Sequence, residues 1–128
     1  MVTALYASLL AVLMIWLSVK VIQQRRTNQV AYADGGVEGL QIARSAQGNA
    51  IDYIPITVIL MALVEFNGAP LLWVHTMGCM FIIGRVIHAR GILSKKFKGR
   101  VLGMQLTLAV MVGLIISNLL YLPFNKLL

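Results

Sequence analysis

The sequence predicts an all-α integral membrane protein in which four transmembrane helices form one bundle. The first observation is composition: 59% of the 128 residues are hydrophobic, the mean hydropathy is +0.85, and only 12% are charged. A soluble domain carries about a quarter charged residues. The second observation is four mostly apolar stretches close to the roughly 20 residues that a helix needs to cross a bilayer core. A chain of this length fits a single domain.

The predicted spans are residues 3–22, 50–66, 69–87 and 101–122. The first span has the position of a secretory signal, but no basic stretch precedes it. Lys20 and the pair Arg25 and Arg26 follow it in place of a small-residue cleavage site, so we interpret it as a retained helix. Pro55 lies early in the second span and is tolerated there because nearby polar groups can satisfy the carbonyl that it frees.

The distribution of basic residues predicts the orientation of the helices. A net charge of +7 would suggest nucleic acid in a soluble protein, but most bases lie in the long first connection, residues 23–49, and around the third. The second connection, residues 65–70, has none. Because cytoplasmic loops are enriched in Lys and Arg, we expect the first and third connections in the cytoplasm and both termini outside. We expect these bases to contact membrane lipids, with no nucleic-acid partner.

The candidate site residues come from three helices at the predicted cytoplasmic boundary: Arg44, Asn49 and Asp52, then Arg85 and His88, and finally Arg100. Asn49 and Asp52 are one helical turn apart, and Arg44 precedes Asp52 by two turns, so we expect all three to face inward at one height. Charged groups near the hydrocarbon usually face a bundle interior or an aqueous cavity. Glu65, by contrast, is expected in solvent at the outer end of the second span.

Two interpretations of this cluster remain open. It could be an interhelical network of salt bridges, for instance between Arg85 and Asp52. It could also bind an external anion, because three Arg residues face one carboxylate and the planar Arg side chain suits carboxylate ligands. A metal site is not predicted, because neither His75 nor His88 has a recognised ligand spacing and there is one Cys.

Three segments, "RSAQGNAIDYIP" (44–55), "GRVIHARG" (84–91) and "KGRVLGM" (98–104), resemble the MAPEG family, the membrane-associated proteins of eicosanoid and glutathione metabolism. The resemblance extends from about residue 5 to residue 122 and is closest to the small bacterial members, which are similar to microsomal glutathione transferases. It implies a four-helix protomer in the bacterial inner membrane, assembled as a homotrimer. Glutathione, as co-substrate, would then bind near the cytoplasmic boundary between subunits, without a metal.

The resemblance also implies roles for individual residues. Arg44 and Asn49 match family contacts to glutathione, Asp52 matches the usual Glu, Arg85 and His88 match a pair on the third helix, and Arg100 resembles the catalytic Arg that stabilises the thiolate. Two residues depart from the family pattern. Asp52 is one methylene shorter than Glu, and Ile92 replaces a frequent Tyr. These departures bear on the geometry of thiol activation and on the substrate.

The function implied by the resemblance is a glutathione transferase, with peroxidase activity as a second reaction, acting on lipophilic electrophiles or hydroperoxides. A non-catalytic scaffold that binds lipid or glutathione is the alternative within the family. Small multidrug transporters also have four short spans, but they resemble one another in a membrane-embedded Glu on the first helix. Residues 3–19 contain no acid, which argues against that mechanism.

Overall fold

The computed structural model describes residues 1–127 and confirms the predicted fold class. Its elements are α1 (Thr3–Asn28), α2 (Glu38–Phe66), α3 (Leu71–Leu93), α4 (Phe97–Leu120) and a short 3-10 turn (Phe124–Lys126). The four α-helices are each long and apolar enough to cross a membrane, and the described residues contain no strand. Short connections make sequential helices antiparallel neighbours in a single bundle.

The helices are longer than the predicted spans, mainly at the end of the bundle that carries the site. The helix α2 begins at residue 38, although its apolar run begins near residue 50, and α1 continues to residue 28. The first connection is therefore residues 29–37, shorter than the predicted polar region 23–49. The turn near residues 34–38 and the helical extension that carries Arg44, both of which the polar sequence there suggests, are present. Hydropathy locates only the part of a helix that contacts lipid, whereas backbone hydrogen bonding continues through polar residues wherever the chain stays helical.

Proline does not interrupt α2. Pro55 lies inside this helix and has no N–H to donate to the preceding turn. Close by, the buried hydroxyl of Thr57 donates to the carbonyl oxygen of Tyr53 at 2.7 Å. The helix therefore carries polar and apolar residues on one continuous element, from the end of the bundle to the opposite boundary.

Glycines bring α3 and α4 into backbone contact beside the site. A Cβ added at Gly91 would lie 2.4 Å from the backbone nitrogen of Arg100, and one added at Gly103 would lie 2.4 Å from that of His88. Only residues without a side chain permit this approach. The start of α4 is consequently held against the end of α3 at a fixed distance.

The opposite end of the bundle is closed by Glu65. This carboxylate accepts hydrogen bonds from the backbone nitrogens of Val2 and Thr3 and, at 2.6 Å, from the Thr3 hydroxyl. The expectation that Glu65 lies free in solvent is wrong. A carboxylate satisfies the unpaired N–H groups that begin any helix, and in this fold it comes from the neighbouring helix.

Candidate functional site

Arg85 is buried in the bundle and has no acidic partner among the described residues. Its side chain is 0% exposed, its Nη2 donates to Asn49 Oδ1 at 2.6 Å, and its Nη1 donates to the Thr107 hydroxyl at 3.4 Å. The guanidinium lies 5.8 Å from the centre of the Tyr53 ring, a cation–π contact. No salt bridge joins Arg85 to Asp52 within residues 1–127, so the interpretation of the cluster as such a network is wrong for this pair.

His88 connects α3 to the first turns of α4. It is 2% exposed, and its Nδ1 lies 2.7 Å from the backbone oxygen of Arg100. A carbonyl oxygen only accepts, so Nδ1 carries the proton of this bond, and in the neutral ring Nε2 is an acceptor. Nε2 has no partner among the described residues. The ring therefore fixes the backbone at Arg100 and retains one unused hydrogen-bonding atom.

Arg100 has a fixed backbone and an exposed side chain. It lies in the first turns of α4, and no acidic residue precedes it in that helix. Among the described side chains, those of residues 1–125 and 127, the one salt bridge joins Glu38 to Lys95, so the Arg100 guanidinium has no carboxylate partner there. The N-terminal end of a helix also carries partial positive charge. Both effects favour an anion beside Arg100.

Two adjoining cavities form a groove between α2 and the α3–α4 end of the bundle. The deep cavity has a volume of about 380 Å³ and includes Asn49 and His88 in its lining. The mouth cavity, about 360 Å³, includes Glu38, Lys95 and Lys96. Both cavities share the same four lining residues: Ser45, Ile92, Phe97 and Arg100. Volumes of about 300–1,000 Å³ are typical of small-molecule sites, so the groove is a binding-site candidate.

Arg44 and Asp52 lie outside this groove. Both side chains are exposed on the single chain, and neither lines a cavity of the groove, whereas Asn49 is half-buried. The expectation that Arg44, Asn49 and Asp52 face inward at one height is therefore wrong. At about 100° and 1.5 Å per residue, Arg44 points about 140° away from Asn49 and lies about 12 Å from Asp52 along the helix axis. The structure brings Asn49, Arg85, His88 and Arg100 together on one chain.

Sequence reasoning missed several residues of the site. Two of the three groups that contact Arg85 were missed, Tyr53 and Thr107. Tyr53 follows Asn49 by one helical turn and Thr107 follows Gly103 by one turn, so helical spacing from Asn49 and Gly103 would have identified them. Ser45 lines both cavities in place of its neighbour Arg44. No comparable signal in the sequence identifies Glu38, because it pairs with a residue far along the chain.

These features define a class of protein: a four-helix integral membrane protein with a cation-lined groove at one end of the bundle. Large apolar side chains are exposed on the outward surface of its helices, as expected where helices contact lipid.

The chain belongs to the MAPEG family, whose model matches residues 3–120. It is 40% identical over 125 residues to the inner membrane protein YecN of Escherichia coli strain K12, an alignment that covers 98% of this chain and 95% of that protein. The protein of the same name from Escherichia coli strain O6:H1 matches to the same extent. The four apolar helices and the relative's name together support an integral inner membrane protein.

Proposed function

We propose that this protein is a membrane-bound glutathione transferase, with glutathione peroxidase activity, that binds glutathione in the groove and ionises its thiol. The observation that supports this most is the position of Arg100. Its exposed guanidinium lines both cavities and has no carboxylate partner within residues 1–127. Membership of the MAPEG family supports glutathione as the ligand, because the site residues implied by the resemblance include Arg100, Asn49 and His88.

Arg100 is the proposed catalytic residue because the reaction needs a thiolate. A free thiol has a pKa near 8.5, so only a few per cent is ionised at neutral pH. A guanidinium beside the sulfur remains protonated and stabilises the anion, and a decrease of one unit in the pKa of the bound thiol corresponds to about 1.4 kcal/mol. The positive end of the α4 dipole acts in the same direction.

The remaining groups of glutathione are two carboxylates, an ammonium and two peptide units. Asn49 suits a peptide group because it lines the deep cavity and is half-buried. His88 lines the same cavity, and its Nε2 is buried without a partner among the described residues, so a small shift of the ring would bring this atom to a peptide group. Arg85 is predicted to favour a carboxylate. Its guanidinium lies behind Asn49 and donates a hydrogen bond to it. On this chain, Arg85 would therefore attract a carboxylate by its positive charge, while Asn49 makes the contact.

Arg44 and Asp52 stay predictions of the family resemblance, as a carboxylate contact and an ammonium contact. Both are exposed on the outward surface of α2, where Asp52 has the exposed apolar neighbours Ile51 and Ile56. A carboxylate in contact with hydrocarbon costs several kcal/mol. A second copy of the chain that covers this surface would remove that cost and place both residues at a shared site. We therefore propose that copies of the chain associate through this surface with glutathione between them, and the family resemblance implies that the assembly is a homotrimer.

The second substrate is proposed to be lipophilic and to arrive from the bilayer. The deep cavity is lined in part by Val101 and Met104 of α4, and the adjacent Leu102 is exposed. The thiolate would attack an electrophilic carbon, forming a C–S bond as the leaving group departs. With a hydroperoxide, sulfur would attack the terminal oxygen and the O–O bond would break, releasing an alcohol. A second glutathione then converts the sulfenic acid to glutathione disulfide and water.

Turnover by the purified protein in detergent tests the proposal. Glutathione is supplied with chlorodinitrobenzene in one assay and with cumene hydroperoxide in the other. We expect activity from the unaltered chain and a decrease of about tenfold or more for Arg100→Ala, since the loss of one unit of pKa stabilisation corresponds to a factor of ten. Arg90→Ala is the matched control, because Arg90 is an exposed base that does not line the groove.

Saturable glutathione binding without turnover in either assay would contradict the enzyme and favour the scaffold. Proton-coupled dye efflux from proteoliposomes would instead favour the transporter. Full activity of Arg100→Ala would leave an enzyme but remove the assigned role of Arg100.

A further inference from the structure

A second concave surface lies between α1 and α3, and the proposed function does not use it. We call it the α1–α3 cleft; its volume is about 400 Å³. It is lined by Leu9, Val12, Leu13, Trp16, Val86 and Arg90. None of these residues lines either cavity of the groove. A molecule in the cleft is therefore separate from the reaction proposed at Arg100.

The cleft is apolar along most of its length and positively charged at one end. All its lining residues except Arg90 are apolar, and Arg90 is an exposed base in the last turn of α3. This charge lies at the same end of the bundle as the groove. Leu9 and Trp16 are separated along α1 by about 10 Å at 1.5 Å per residue. The apolar part is thus comparable in length with the hydrocarbon of one leaflet, roughly 15 Å.

A second base adjoins the charged end of the cleft. The Nζ of Lys20 lies 5.4 Å from the centre of the Trp16 ring, a cation–π contact, and the lysine side chain is half-buried. Trp16 lines the cleft, so Lys20 lies one helical turn beyond it. Among the described side chains the one salt bridge joins Glu38 to Lys95. Lys20 and Arg90 therefore have no carboxylate partner in that part of the chain.

A polar cavity follows the two bases along α1. Its volume is about 390 Å³, and its lining includes Lys20, Gln23 and Gln24. The acidic residue in this cavity, Glu38, is already paired with Lys95. From Leu9 to Gln24, the surface beside α1 is therefore apolar, then cationic, then rich in amide groups. An anionic phospholipid has its acyl chain, phosphate and polar headgroup in the same order.

We propose that the α1–α3 cleft binds one anionic phospholipid, with an acyl chain along the cleft, its phosphate between Arg90 and Lys20, and its headgroup toward Gln23. A zwitterionic lipid has a cation beside its phosphate, so two bases without carboxylate partners favour a lipid with net negative charge. The cleft contains no residue of α2, the helix whose outward surface is proposed to contact a second copy of the chain. The site thus remains open to the bilayer in the proposed assembly.

Fluorescence of Trp16 in vesicles tests the proposal, because this side chain lines the cleft. The full chain with Trp73→Phe has Trp16 as its one tryptophan. It is reconstituted in phosphatidylcholine brominated on the acyl chains, which quenches a tryptophan in contact with them. Unbrominated phosphatidylglycerol is then added in increasing proportion. We expect the fluorescence to recover as for a lipid preferred by about tenfold or more, since each base near an anionic lipid contributes about fivefold.

Arg90→Ala and Lys20→Met in this background should each lower the preference for phosphatidylglycerol by about fivefold. Lys98→Met is the matched control and should keep the preference, because Lys98 is an exposed base at the same end of the bundle that lines neither the cleft nor the polar cavity. Trp16→Phe, which leaves only Trp73, should show recovery in proportion to the added lipid. Trp73 lies outside the cleft, at the opposite end of α3.

Two results would overturn the inference. Recovery of the Trp16 fluorescence in simple proportion to the added phosphatidylglycerol would show that the cleft has no preference for an anionic lipid. An equal loss of preference in Lys98→Met and Arg90→Ala would assign the attraction to the charged end of the bundle as a whole. Either result leaves the proposed function intact, because glutathione turnover is measured in detergent and the cleft shares no lining residue with the groove.

Discussion

At the scale of single residues, the site depends on a buried cation that no carboxylate in the described part of the chain neutralises. Arg85 is held by Asn49, Thr107 and the ring of Tyr53, which are all neutral groups. Its positive charge therefore remains available to the groove on the other side of Asn49. A buried Arg paired with an acid would give the same helix contacts but would attract no anion.

Removal of Asn49 should destabilise the fold. In Asn49→Ala, Arg85 Nη2 loses its acceptor inside the bundle, and an unsatisfied buried donor costs about 1–3 kcal/mol. Thermal or denaturant unfolding in detergent measures this loss. Asn28→Ala is the control, because Asn28 is exposed at the end of α1, and we expect a change within about 0.5 kcal/mol. Equal stability of the two variants would contradict the role of Asn49.

Asp52 and Arg44 illustrate the limit of residue spacing. Residues three apart on a helix share a face approximately, but over eight residues the angular error accumulates and the axial distance reaches about 12 Å. The spacing of Arg85 and His88, by contrast, is short enough for both to face the bundle, and both are buried. Spacing therefore predicted correctly that Arg85 and His88 are buried together. It failed for Asn49 and Asp52, which are also three residues apart, and for the more distant Arg44.

At the scale of elements, hydropathy was sufficient to predict the number and order of the helices. The ends of the helices could not be predicted in this way, because residues 38–49 are polar and still helical. The groove depends on these polar ends: Glu38 and Ser45 belong to the part of α2 that precedes its apolar run. A site built on helix extensions is thus not visible in a hydropathy profile.

The contact between α3 and α4 predicts a strong effect of a single methyl group. In Gly103→Ala the new Cβ would lie 2.4 Å from the His88 nitrogen, so α4 must move away from α3. We expect a loss of about 1–3 kcal/mol in unfolding free energy, the usual cost of overpacking, together with weaker glutathione binding because Arg100 moves with α4. Unfolding in detergent and glutathione titration measure both effects.

Gly113→Ala on the same helix provides the control. Its Cβ would lie 3.4 Å from the sulfur of the flexible Met77 side chain and 4.0 Å from the Trp73 ring, which are ordinary van der Waals contacts, so we expect little loss of stability. If both alanine variants behave alike, the tight approach of the two backbones does not position Arg100.

The hydrogen bonds that Glu65 of α2 accepts from the start of α1, at the opposite end of the bundle, lead to a separate prediction. Glu65→Ala removes the acceptor for Val2 and Thr3, and loss of a helix cap costs about 0.5–2 kcal/mol. Hydrogen exchange at the first turn of α1 should accelerate. Glu38→Gln should leave this exchange unchanged, because it removes only an exposed ion pair far along the chain. Unchanged exchange in Glu65→Ala would exclude the capping role.

At the scale of the whole molecule, the charges predict the orientation in the membrane. The site end of the bundle carries most of the bases and should face the cytoplasm. In a Cys79→Ser background, Asn67→Cys lies between α2 and α3, and Tyr32→Cys lies between α1 and α2. A membrane-impermeant maleimide applied to the cell exterior should label Asn67→Cys and leave Tyr32→Cys unlabelled. The reverse pattern would place the groove outside.

The absorbance of bound glutathione tests the central claim most directly. A thiolate absorbs in the ultraviolet and a thiol does not, so titration of the purified protein with glutathione at neutral pH reports ionisation without any second substrate. We predict a saturable thiolate band for the unaltered protein, no band with S-methylglutathione, and a band reduced about tenfold in Arg100→Ala at saturation. An undiminished band in Arg100→Ala, or saturable binding of glutathione without a band in the unaltered protein, would contradict the account.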